Sequence, residues 1–397
     1  MAGIYLHIPF CVRRCIYCDF YSVTRLRLIP HYVQALTNEI RLRASWLNLP
    51  DGTPSPINTI YFGGGTPSLL PFDAITKILE TIFSTYKVSS QAEITLEANP
   101  DDLSPEYITL LRHSPVNRLS IGIQTLDNNL LHYLHRRHTA QQAINAVCNC
   151  QNAGFTNLSI DLIYGIPGQT LQGFQADVAD ILSLRVPHIS AYSLTFEPGT
   201  PLWQMRTHKQ AHETDEELSL NMYNRLIDTL SAQGYEHYEI SNFALPGFRS
   251  RHNSSYWRGT PYLGCGPAAH SFNGSRRQWN TADLNAYISK VSKCSAPEDF
   301  ENGDWTEGET LNTFERYNER IVTALRTCEG TDIRALYDDF GKQLGDYCLH
   351  SAEPHLKNGL LEITNKAAAQ DSPRLRLTRK GLFLSDGIIS DLFYVQD

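Results

Sequence analysis

Three cysteines stand close together in CVRRCIYC, at Cys11, Cys15 and Cys18, directly after a short apolar run, GIYLHIPF. Thiolates are soft donors that select zinc, copper(I) or iron–sulfur clusters, so ligand count and surroundings must decide among them. A structural zinc usually takes four protein ligands, and no second cysteine pair or His-x3–5-His lies nearby. Four-cysteine clusters are one ligand short here. Three thiolates can fix three irons of a [4Fe–4S] cube and leave the fourth iron open to a substrate or cofactor, by analogy with catalytic zinc sites that keep one position free. A zinc-stabilised fold stays open as the plainer alternative.

Further groups with chemical potential recur at the ends of apolar runs. Gly63, Gly64, Gly65, Thr66 and Pro67 form GGGTP, where absent side chains let backbone approach a ligand. Glu97 closes an apolar run in LEANP, Gln124 closes SIGIQT, Asp161 lies in SIDLIYGIPGQT, and Arg136 falls in LHRRHT. Each alone reads equally well as a cap or a surface residue. Together they set carboxylate, amide and guanidinium groups around one opening, suited to an ammonium, a carboxylate and ribose hydroxyls. A separate motif, HNSSYW, holds His252, Asn253, Tyr256 and Trp257. Imidazole is a common axial ligand of heme iron, and Tyr and Trp offer flat apolar faces with a polar tip, so His252 is a heme-ligand candidate. Its plainer reading is a loop histidine satisfied by hydrogen bonds. Cys148, Cys150, Cys294, Cys328 and Cys348 are scattered and read as small apolar fillers.

The elements that must carry these groups follow a strand-then-helix rhythm. Runs at 3–10, 58–64, 92–98, 118–125, 157–165 and 188–196 read as buried strands, and helical periodicity occupies 30–47, 72–86, 104–113, 139–152 and 171–184. Long crossovers of this kind make parallel βαβ units. A helix at about 213–233 and the segment 237–244 offer one more unit. The fold class expected is α/β, a partial (β/α)6-7 barrel with a small C-terminal winged-helix-like α+β module. The chain divides as a barrel over 1–244, an aromatic and Gly-rich segment with an acidic linker over 245–309, and the winged-helix-like module over 310–397. Within the middle part, 245–275 reads as loop, and 298–309, with six acids and no base, as a solvated linker.

Composition sets outer limits. The 397 residues suffice for two or three domains. Nine cysteines are too sparse and odd in number for a disulfide scaffold. A net charge of −8, with acids outnumbering bases in 310–397, argues against nucleic acid as a partner despite the winged-helix-like pattern. Neither a secretory leader nor a membrane-spanning run is legible, so the expected location is cytoplasmic.

The C-x3-C-x2-C spacing resembles the radical S-adenosylmethionine (SAM) superfamily. YLHIPFC, GGGTP, SIGIQT and IDLIYGIPGQT together are similar to a narrower group, the oxygen-independent coproporphyrinogen III oxidases and the related heme chaperones HemW. The resemblance implies a [4Fe–4S] cluster on Cys11, Cys15 and Cys18 whose open iron is chelated by SAM. It also implies SAM contacts at Tyr5, Gly64, Gly65, Thr66, Glu97, Gln124, Arg136 and Asp161. Two features separate the branches. The oxidases extend the motif to a fourth cysteine, where this chain has Phe20, and HNSSYW fits the HNxxYW signature of the chaperones. The chaperone branch implies heme as a ligand, with His252 as its candidate contact, and delivery to apo-hemoproteins such as respiratory-chain enzymes. An electron donor such as a flavodoxin or ferredoxin, received near Arg13 and Arg14, belongs to the same expectation. Peripheral membrane association and a homodimer remain compatible with it. SAM turnover is left open, and oxidative decarboxylation of coproporphyrinogen is the rival activity.

Overall fold

The computed structural model describes residues 1–49, 51–301, 305–364 and 372–396. Six strands lie side by side, parallel and in chain order: β1 (Ala2–Ile8), β2 (Ile57–Gly64), β3 (Val88–Ala98), β4 (Arg118–Gln124), β5 (Leu158–Tyr164) and β6 (His188–Ser193). Helices Ile29–Leu42, Phe72–Thr85, Pro105–Arg112, Ala140–Asn152 and Leu171–Ser183 fill the crossovers, within a few residues of the expected spans. Ser104, Thr139 and Thr170 cap the last three by accepting backbone N–H groups. One row of each strand is apolar and buried against these helices, as with Ile4, Leu6, Ile60, Phe62, Leu119, Ile121, Ile160 and Leu162. Such a side chain contributes about 1.5–3 kcal/mol when fully buried. Because successive strand residues point to opposite faces, the alternate row, with Tyr5, His7, Tyr61, Glu97, Ser120 and Asp161, faces the barrel lumen. This is the partial barrel of the radical SAM type.

The barrel's two margins differ from expectation. Residues 237–244 do not add a parallel unit. They contribute to a hairpin, β7 (Glu236–Glu239) and β8 (Asn242–Ala244), with β8 antiparallel to β6. Two residues join these strands, too few for a parallel crossover. Residues 245–275 are not a loop either. They hold the helix Arg251–Trp257, then β9 (Tyr262–Cys265), parallel to β1, and β10 (His270–Phe272). The glycines that suggested a loop serve close packing instead. A Cβ on Gly264 would fall 2.0 Å from the His270 carbonyl oxygen. The sheet continues through β11 (Arg276–Asn280) to β12 (Thr306–Thr310). The expected acidic linker is therefore mostly ordered structure, a helix Pro297–Glu301 and an edge strand, with Asp304 outside the described residues. Its acids face partners on β11: Glu307 accepts from Trp279 Nε1 at 3.2 Å, and Glu309 lies 3.7 Å from Arg277.

A buried carboxylate joins this margin to the barrel. Glu39, on helix Ile29–Leu42, is fully buried and accepts from Gly266 N at 2.8 Å, Tyr287 Oη at 2.6 Å and Asn280 Nδ2 at 2.9 Å. Arg43, one turn later, donates to Gly264 O and Gln278 Oε1.

Beyond residue 312 a second apolar core forms around Tyr317, Ile321, Leu325, Leu336, Leu344, Leu375 and Ile389. Helix Thr313–Leu325 precedes a long helix, Ile333–Lys357, broken at Gly341 (φ 78°). A three-stranded antiparallel sheet of β13 (Thr331–Asp332), β14 (Leu361–Thr364) and β15 (Arg374–Leu377) follows, with β15 in the middle. Two short helices, Arg379–Leu382 and Ser385–Asp391, follow the last strand. Among the described residues no helix is long and apolar enough to cross a membrane.

Candidate functional site at the barrel mouth

The three clustered cysteines lie on one loop beyond the carboxyl end of β1. A bridge between Phe10 and Val23 and a hydrogen bond from Cys11 N to Val23 O (3.0 Å) pin the ends of that loop. Cys11 is buried, while Cys15 and Cys18 are half-buried, and all three thiols are free. Thr66 Oγ1 donates to Cys11 Sγ and Arg136 Nη1 donates to Cys15 Sγ, each at 3.5 Å. Burial pushes the Cys18 thiol up to about 11, and the neighbouring Cys15 and Cys11 add to the shift. Such thiols ionise when a metal takes the proton's place. Among the described residues no three Cys, His, Asp or Glu side chains converge closely enough to hold a single metal ion. Three thiols on one loop can hold an inorganic cluster by three of its irons.

The glycine turn sits against this loop and is shaped by contact. Gly64 has φ 107°, and a Cβ there would lie 2.6 Å from the His7 ring. A Cβ on Gly65 would meet the backbone oxygens of Ile8 and Phe10 at 2.8 Å. His7 Nε2 stands 2.8 Å from the Tyr21 carbonyl, so this nitrogen carries the proton. Burial lowers the imidazole pKa to about 4, and the neutral ring accepts from the Tyr5 hydroxyl at Nδ1, 3.1 Å away.

Carboxylates follow below the turn. Glu97 accepts from Gly64 N at 3.2 Å and from Tyr61 Oη at 2.7 Å. Burial raises its pKa to about 7, with Asp161 adding to the shift. Asp161, raised by burial to about 6, accepts from Ser120 Oγ at 3.3 Å. Gln124 is buried in a left-handed conformation (φ 72°), with its amide over Gly122. Arg136 Nη2 donates to Asn99 Oδ1 at 2.7 Å and to Gly122 O at 2.5 Å, and its Nε is buried with no protein partner. All the residues expected at the mouth thus line one continuous wall. Tyr61, His7, Asn99, Ser120 and Arg118 belong to the lumen as well and escaped the sequence reading. Counting in twos finds them: His7 from Tyr5, Tyr61 from Gly63, Asn99 from Glu97, and Ser120 and Arg118 from Gln124.

His252 lies elsewhere. HNSSYW forms the short helix Arg251–Trp257, which closes the lumen at the amino-terminal end of the strands. The ring is 1% exposed, its Nδ1 is 2.8 Å from Thr59 Oγ1, and its Nε2 is 2.8 Å from Tyr256 Oη. Burial lowers its pKa to about 3. In this arrangement both ring nitrogens of His252 are engaged by hydroxyl groups, from Thr59 and Tyr256, and the ring is shielded from solvent. Trp257 lies against the guanidinium of Arg326, 5.1 Å from the ring centre.

Comparison with known proteins decides the family. A model of the Radical SAM superfamily matches residues 5–181, and one of the HemN C-terminal domain matches 313–384. The chain is 34% identical to the heme chaperone HemW of Lactococcus lactis over 97% of its own length and 95% of the relative's. Against HemW of Bacillus subtilis identity is 33% over 98% of both chains. This chain belongs to the HemW family. Its fold superposes on coproporphyrinogen III oxidase (HemN) of Escherichia coli with a TM-score of 0.81, covering 99% of this chain and 90% of that one at 22% identity. HemW-family membership, with the radical SAM domain, brings a [4Fe–4S] cluster and SAM to the cysteine loop. The residues fit both groups. The loop offers three free thiols with two donors aimed at sulfur, and the wall below offers the carboxylates of Glu97 and Asp161, raised by desolvation while Arg118 pulls both down.

Proposed function

We propose that this protein is a heme chaperone that binds a [4Fe–4S] cluster, SAM and heme, and passes heme to apo-hemoproteins. The observation that carries this reading is near-full-length similarity to proteins named heme chaperone, joined to a three-thiol loop with Phe20 at the oxidases' fourth cysteine position. Phe20 is 60% exposed beside the loop.

In this reading Cys11, Cys15 and Cys18 hold the cluster, and Arg136 offsets sulfur charge through its hydrogen bond to Cys15. Glu97 receives the ammonium of SAM, Gln124 and Arg136 its carboxylate, and Asp161 its ribose hydroxyls. The backbone of Gly64, Gly65 and Thr66 lies along the methionine end, and Tyr5 supports the turn through His7. When bound, the cluster supplies one-electron reduction at the barrel mouth. Tyr17, half-buried beside Arg136 and the cysteines, helps exclude water there. The setting proposed is cytoplasmic, with a flavodoxin or ferredoxin as electron donor near Arg13 and Arg14. Peripheral membrane contact and a homodimer complete the proposal. His252 is the candidate heme ligand, a role for which it would exchange its Thr59 or Tyr256 partner for iron.

Anaerobic reconstitution followed by hemin titration tests the reading. About four irons per chain, a shifted Soret band and transfer of heme to an apo-hemoprotein are expected. Conversion of coproporphyrinogen to protoporphyrinogen, with no heme transfer, would replace the chaperone with the oxidase.

A further inference from the structure

His252 closes the lumen floor, yet its ring is not isolated from the mouth. It stacks on Tyr61 with centroids 4.9 Å apart and planes 23° from parallel. Tyr61 donates its hydroxyl to Glu97 Oε1 at 2.7 Å, and the other oxygen of Glu97 accepts from Gly64 N at 3.2 Å. Thr59 and Tyr256 grip the ring from either side, and Glu93 accepts the backbone N–H groups of both Arg251 and His252, at 3.0 and 2.9 Å. Gly3 leaves room for this arrangement, since a Cβ there would stand 3.4 Å from the imidazole and 2.7 Å from Thr59 Oγ1. Tyr5 stands beside both rings, 6.2 Å from Tyr61 and 6.4 Å from His252. The phenol ring thus rests on the imidazole while its hydroxyl is held by Glu97.

We propose that His252 is a positioning residue for the SAM site: it fixes the Tyr61 ring, which holds Glu97 against Gly64. The HNxxYW helix, on this inference, sets the geometry of the mouth from the opposite end of the barrel. A carboxylate loose by about an ångström binds an ammonium poorly, because such contacts depend on preorganised geometry. The inference rests on the SAM reading given above and assigns it a residue outside the binding wall.

The test uses the full chain, anaerobically reconstituted, with iron content and thermal melting measured beside SAM binding by equilibrium dialysis. His252→Ala removes the stacking face, and SAM affinity is expected to fall about tenfold while iron per chain stays at the wild-type value. Tyr61→Phe cuts the hydroxyl link and is expected to do the same. Because the two changes break one chain of contacts, the double variant is expected to bind SAM no more weakly than either single one. His252→Phe keeps the flat face but strands the Thr59 and Tyr256 hydroxyls. It is expected to melt lower than wild type yet keep SAM affinity within about threefold, which separates positioning from stability. Unchanged SAM affinity in His252→Ala, or losses that multiply in the double variant, would overturn the inference. Should wild-type protein with a full iron complement bind no SAM, the underlying SAM reading fails instead. A Soret response abolished in both His252→Ala and His252→Phe, with SAM affinity unchanged in both, would make heme ligation the role of His252 instead.

Discussion

Glu97 is a carboxyl group buried enough to sit near neutrality, and its protonation governs how it meets a cation. With a pKa of about 7, its ionised fraction falls about tenfold between pH 8 and pH 6. SAM affinity is therefore expected to weaken by about that factor over this interval, and Glu97→Gln to bind weakly with a flat profile; a wild-type profile that is flat would refute the assignment. The linkage to stability has the opposite sense from a salt-bridged acid. The folded pKa exceeds the unfolded one, so the native state holds more protons between about pH 4.5 and 7, and this group destabilises the fold as pH rises through that window. A second residue-scale prediction concerns Gly65. Its neighbours are backbone oxygens at 2.8 Å, which cannot swing aside, so Gly65→Ala is expected to cost about 1–3 kcal/mol in urea unfolding and to lower iron retention. At this scale the sequence was informative where residue type is rare and spacing is short. Cys11, Cys15, Cys18 and the glycine turn are readable from their identities alone. The packing of His252 was not legible, because its motif reveals residue types but not the two hydroxyls, Thr59 and Tyr256, that occupy its nitrogens. Thr59 lies 193 positions away in the chain.

Among the elements, the six parallel strands were legible because their apolar runs are continuous and their helices carry caps. The strands at the margin were not, because each is short and owes its place to a partner far off in sequence. β9 pairs with β1 across more than 250 residues, and its glycines mimic a turn. Glu39 was equally hidden, since a single acid on an amphipathic helix reads as surface. Its burial among Gly266, Asn280, Tyr287 and Arg43 makes it a tether between the first helix and the added strands. Replacing it with Ala leaves Arg43 buried without its carboxylate, and a loss of about 3–5 kcal/mol is expected in chemical denaturation. Glu39→Ala with unchanged stability would show that the tether carries no net weight.

For the whole molecule, two apolar cores imply two cooperative units. The contacts between them include polar, partly exposed pairs, Arg379 with Asp228 at 2.5 Å, Arg249 with Glu329 at 2.6 Å and Ile240 N with Arg326 O at 3.1 Å, beside a small apolar contact of Leu382 and Phe383 with the barrel core. Exposed pairs of this kind contribute little individually, up to about 1 kcal/mol. Denaturant titration followed by hydrogen exchange is expected to resolve a separate transition for residues 313–392, and a single coincident transition would contradict this. The placement of the cysteines has its own practical outcome. All three donors belong to one pinned loop, and none of them lies in a strand. Stripping the inorganic centre in air should leave circular dichroism and melting behaviour almost untouched, so a colourless, well-behaved preparation certifies the scaffold and says nothing about its competence.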